Sequence, residues 1–148
     1  MEALEFLQTL IDQQLCYGLK SQDLDLYDFG FGNMVGDVNS YERYQEGCTH
    51  IIHAICRFKV IWKNGEHRVD RYQENTSSEK FCTEIKRLIG LKVIRIALSD
   101  KNDLWLDLGD YWVVFATYEN NEESWRFFAL NQDIPHLVAS NSWLNFSN

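Results

Sequence analysis

Between positions 48 and 56 the chain carries Cys48, His50, His53 and Cys56, four side chains of metal-ligating type within nine residues. A tetrahedral zinc site needs its ligands to converge within about 2.3 Å of one ion. The flanking alternation reads instead as a strand, in which successive side chains point to opposite faces. His53 then faces away from the other three, and those three spread over about 26 Å at ~3.3 Å per residue. The spacing points to a core Cys56 and a partly exposed His53, with no metal and no other cofactor.

The remaining chemistry-bearing residues form looser groups. Asp100, Asn102 and Asp103, with Asp107 and Asp110 nearby, supply oxygen ligands without the spacing or the later glutamate of a calcium loop. A hairpin turn built of turn-forming residues accounts for them. Gly30, Gly32 and Gly36 match a phosphate loop in glycine count alone, since neither a helix nor a lysine follows. There is no nucleophile elbow and no cysteine-protease signature. Asp23, Asp25 and Asp28, and the turn with Glu119, Glu122 and Glu123, need a pocket to shift their acidity before they can do acid–base work. Tyr41, Tyr44, Trp105 and Trp112 are residue types that anchor protein contacts.

The elements that position these residues repeat. Ala3, Phe6, Leu7, Leu10 and Ile11 make an apolar stripe at helical spacing over 2–14, closed near Gly18. Phe81, Ile85, Leu88 and Ile89 make the same stripe about 78 positions later, capped by Ser77 or Ser78 and ended by Gly90. A strand over 23–31 maps onto one over 103–108, and the long alternation at 49–63 reads as one strand. Asn64 and Gly65 then turn it into a return strand over 66–72. Further strands are expected at 92–98, 111–118, 124–130 and 135–139, with an aromatic tail at 143–146. The acidic 119–123 turn is expected to correspond to the turn at Asn64 and Gly65. The expected fold is a single α+β domain over 1–148, with related halves at about 1–73 and 77–139. Each half would hold one helix and about four antiparallel strands about a pseudo-twofold axis.

Length and composition agree with one globular core. A chain of 148 residues with 45% hydrophobic content buries enough surface to fold without disulfides or metal. The net charge of −8 disfavours nucleic acid and anionic membranes as partners. No run approaches the ~20 apolar residues of a membrane span, and no basic, apolar leader opens the chain. Four cysteines without a Cys-x-x-Cys pair fit a reduced, cytoplasmic setting.

The 53–58 run HAICRF, followed by a charged hairpin, and the 123–128 run ESWRFF with PHLV at 135–138 resemble segments of a group of small, mostly uncharacterised bacterial single-domain proteins. The resemblance implies no catalytic residues. Some comparable small acidic proteins are immunity partners of toxins, so a toxin-immunity role is what it suggests.

The leading expectation is therefore a non-enzymatic protein-binding domain, immunity-like or regulatory, that caps a basic partner. Its surface would combine the irregular 30–47 stretch, through Asp37, Tyr41, Glu42 and Tyr44, with Glu119, Glu122 and Glu123. The alternative is a small-molecule domain or an unfamiliar enzyme with a pocket between the halves, using Asp28, His50 and His53. A self-associating subunit is the third reading.

Overall fold

The computed structural model describes residues 2–21, 26–33, 47–55, 57–65, 67–73 and 75–147. Helix α1 (Ala3–Leu7) runs into a 3-10 turn (Gln8–Leu10), and α2 (Ser78–Leu88) is the longer helix. The rest is strand: β1 (Gln14–Lys20), β2 (Tyr27–Gly32), β3 (Cys48–Ala54), β4 (Phe58–Trp62) and β5 (Val69–Tyr72) precede α2. After it come β6 (Arg95–Leu98), β7 (Leu104–Asp107), β8 (Tyr111–Phe115), β9 (Trp125–Ala129), β10 (His136–Ala139) and β11 (Leu144–Ser147). The architecture is mostly β, which corrects the expected α+β domain of one helix and about four strands per half.

The error began at β1. The apolar stripe at 2–14 keeps helical geometry only as far as Leu10; Asp12 then takes a φ of 71° and the chain reverses into a strand. Gly18 does not close a helix. It lies inside β1 beneath α2, where any Cβ would run into the Ile85 side chain and lie 3.2 Å from Phe81 Cζ. The helix itself begins as expected, with the Ser77 hydroxyl accepting from the Lys80 backbone N–H at 3.1 Å.

Two antiparallel sheets result. The first has the order β1-β2-β3-β9-β10-β11 and the second β5-β4-β8-β7-β6. Exchanging β1–β5 with β6–β10 converts β1-β2-β3-β9-β10 into β6-β7-β8-β4-β5, the second sheet from its other edge. The chain therefore changes sheets twice, after β3 and after β8. The 49–63 run is two strands, not one. Ile52 and Ala54 reach the core from the first sheet, and Phe58 and Val60 reach it from the second. All four have even numbers, so the alternation runs on unbroken through the change of sheet. The same exchange places the 119–123 turn opposite the β3–β4 link, which corrects the correspondence with Asn64 and Gly65.

The inner faces of both sheets share one aromatic core. Phe29 meets Phe58 and Phe115 edge-on across the sheets, each pair with ring centroids 5.1 Å apart. Phe81 of α2 closes one end against Tyr27 and Phe29, while Phe6 of α1 packs on Phe127 and Phe146. Each buried ring contributes roughly 1.5–3 kcal/mol relative to exposure. This filled interior leaves the outer sheet faces as the surfaces on which side chains can act.

Candidate functional site

The outer face of the first sheet collects some of the expected residues. Asp28, His53 and Arg126 stand side by side on β2, β3 and β9. His53 Nε2 lies 2.9 Å from Asp28 Oδ1. Arg126 donates to both oxygens of Glu123, at 2.9 and 2.6 Å, and to His136 Nδ1 at 3.1 Å. Accepting from a guanidinium requires His136 to be neutral, with its proton on Nε2. Phe128 sits among them, stacked on His136 at 4.2 Å and edge-on to His53 at 4.9 Å.

Other expected residues lie elsewhere. His50 faces the core, 7% exposed and stacked on Phe127, so Asp28, His50 and His53 share no site. Glu119 and Glu122 are exposed at the turn between β8 and β9, whereas Glu123 is held by Arg126. Asp37, Tyr41, Glu42 and Tyr44 fall outside the described residues. Cys16, Cys48 and Cys82 are free thiols, and burial, then Cys48, pushes Cys16 up to about 11, which removes its thiolate at neutral pH. Among the described residues no three His, Cys, Asp or Glu side chains are grouped to hold a metal ion.

These histidines give the fold a pH dependence. Burial lowers the pKa of His50; burial, then Arg126 and His53, lowers that of His136. A histidine with a folded pKa below its unfolded value binds fewer protons when folded. Its stabilisation is complete above the unfolded value near 6.5 and is lost as pH falls below it. Glu84, raised chiefly by burial, acts with the opposite sign. The useful readout is thus a difference: between pH 7.5 and 5.5 the melting temperature of His136→Gln should fall less than that of the wild type. Parallel curves would remove His136 from this account.

The outer face of the second sheet is different in kind. Lys59 and Ile61 alternate outward along β4, with Arg57 before them and Lys63 after; Val114 and Trp112 face outward from β8, Trp105 and Asp107 from β7, and Arg95 from β6. Trp105 and Trp112 meet edge to face, with centroids 5.7 Å apart. Lys63 lies 4.7 Å and Arg95 5.3 Å from the centroid of Trp112, and Lys59 lies 5.8 Å from that of Trp105. Asp107, 2% exposed, fixes two of these cations. It accepts from Lys63, from Arg95 at 3.0 and 2.9 Å, and from the Gly109 N–H at 2.9 Å. Burial alone would raise the Asp107 carboxyl, but the bonds from Lys63, Gly109 and Arg95 hold it below the usual range.

Beside this strip, at the start of β4, lies a cavity of about 170 Å³. Arg57, Lys59 and Arg71 line it together with Phe58, Tyr72 and Ala116. Arg57 lies 5.6 Å from the centroid of the Tyr118 ring. Among the described residues, none of the three cations is ion-paired with a carboxylate.

No protein-family model, curated protein or solved structure matches this chain. No helix among the described residues is long and apolar enough to cross a membrane.

The basic face escaped the sequence reading because net charge averages over the chain. Ten of the fourteen basic residues but only five of the twenty-two acidic ones fall between 57 and 95. That segment is +5 and the remainder −13. A running charge count along the chain would have found it. The run of Arg57, Lys59 and Lys63 on one strand face was visible, and so were Trp105 and Trp112 as contact residues. Their meeting on one sheet was not.

Proposed function

We propose that this chain is a non-enzymatic protein-binding domain that docks an acidic segment of its partner on the outer face of the second sheet. One observation carries the reading: Lys59, Lys63 and Arg95 lie over paired tryptophans on a single sheet face, beside Arg57 and Arg71, which pair with no carboxylate among the described residues. Rings beneath long cationic side chains restrict them before binding, which lowers the entropy lost on docking. An excess of positive charge on one face steers an oppositely charged partner and covers its acidic site, the occlusion mechanism of an immunity-type or regulatory protein.

Nucleic acid is the less suitable anion. Base stacking needs free ring faces, and Trp105 and Trp112 already carry cations of this chain. The net charge of −13 outside 57–95 also repels a polyphosphate. A second reading keeps the acidic turn as the docking surface for a basic partner, favoured by the exposure of Glu119 and Glu122.

The test is affinity capture from native lysate at low and then moderate salt, beside a Glu119→Gln/Glu122→Gln variant, with eluates identified by mass spectrometry. The expected eluate holds a stoichiometric protein with an acidic contact segment, released by salt and retained by the variant. A basic protein lost with the variant moves docking to the turn. The absence of any stoichiometric protein overturns the binding reading.

A further inference from the structure

We infer that the cavity at the start of β4 is a binding site for a phosphoryl group. Lys59 and Arg71 are direct cross-strand partners in the β4–β5 register, and Arg57 lies two residues before Lys59 on the same strand course. Like charges directly opposite one another destabilise a sheet. Here no carboxylate among the described residues offsets the pair, and a third cation joins it at the same cavity. Four other cations at or beside this sheet do have carboxylate partners: Asp107 serves Lys63 and Arg95, and Asp70 serves Arg68 and Arg87. The arrangement at Arg57, Lys59 and Arg71 is thus a local cost that an anion would remove.

The chemistry of the cavity selects the anion. A phosphoryl monoester carries about −1.5 to −2 charge at neutral pH and three acceptor oxygens, which matches three cations better than a single carboxylate does. Two guanidinium forks suit it, since each can donate two parallel bonds to its oxygens. Phe58, Tyr72 and Ala116 line the same cavity, and this mostly apolar wall strengthens the field within it. A volume of about 170 Å³ admits the group and the carbon that bears it. The site lies on the proposed docking face, and the inference rests on that reading for the molecule that carries the phosphoryl group: a phosphorylated side chain, or free phosphate.

Thermal unfolding and calorimetric titration with inorganic phosphate at pH 7.5, against chloride of equal ionic strength, test the site. Phosphate should raise the melting temperature of the full chain above its value in chloride. Arg71→Gln should abolish that increment and weaken phosphate binding about tenfold, while its melting temperature in chloride stays at or above the wild-type value. Equal wild-type melting in both salts, or an increment that survives in Arg71→Gln, overturns the inference. A glutamate-rich peptide with one phosphoserine and its serine twin separate the sources. Preference for the phosphopeptide supports a protein-borne group, and equal binding of the twins beside an intact phosphate effect supports the free anion. Peptide binding without any phosphate effect rejects this site and leaves the docking face standing. A phosphate effect without peptide binding does the reverse.

Discussion

Gly30→Ala should lower the free energy of unfolding by about 2–3 kcal/mol or more, at the upper end of overpacking costs. Gly30 is the direct partner of Tyr17 in the β1–β2 register. The Tyr17 ring lies across the glycine, so an added Cβ would come within 2.8 Å of Cζ and nearer still to Cδ1 and Cε1. The ring cannot easily move aside, because Tyr17 is 1% exposed and packs with Cys16 and Ile51 on the outer face of the first sheet. An aromatic ring laid over a strand glycine is itself stabilising, so the substitution both removes that packing and forces a clash. Chemical denaturation should show a lower midpoint with an unchanged slope. Tyr17→Ala should cost about 3–5 kcal/mol alone. In combination the two should cost clearly less than their sum, since the second change removes the clash made by the first. Strict additivity would mean that the ring and the glycine do not meet.

The elements that could be read from the sequence are those whose signals are local. Asn64 and Gly65 join β4 to β5, with Gly65 at a φ of 88°, and the turn chemistry alone requires this. The polar turns between β6, β7, β8 and β9 separate short alternating runs in the same way. What failed depends on distant contacts. Residues Leu15 to Tyr17 satisfy a helix and a strand about equally until Gly18 is seen to lie under Ile85, a contact 67 positions away. The change of sheet between Ala54 and Phe58 preserves period-two alternation, because both sheets turn toward one core. Periodicity therefore carried no mark of it. The candidate site was obscured for a related reason. Arg95 and Asp107 belong to β6 and β7, and only sheet pairing brings them to Lys63 just past the end of β4. The metal-like spacing of Cys48, His50 and His53 separates in the other direction, with His50 in the core and His53 beside Asp28 on the outer face.

Lys59→Glu should make the fold more stable while removing its capacity to bind. Lys59 stands opposite Arg71, so the substitution turns a repulsive cross-strand pair into an attractive one. Each such pair is worth roughly 0.2–1 kcal/mol, so a gain of about 1 kcal/mol is expected, visible as a higher melting temperature at low salt. The same change places a carboxylate at the rim of the cavity and in the line of cations that an acidic segment would meet. Binding to the captured partner should weaken by about a hundredfold at low salt, equivalent to about 2.7 kcal/mol. The loss should shrink as salt screens the face. The two signs together are what discriminates. If Lys59 served only the fold, through its contact with the Trp105 ring, removing it would lower stability and leave binding unchanged. A cation retained opposite another cation, with no carboxylate beside the pair among the described residues, is intelligible when a bound anion supplies the negative charge. Melting and binding measured on the same Lys59→Glu sample decide between these accounts, because no purely structural role for the side chain moves them in opposite directions.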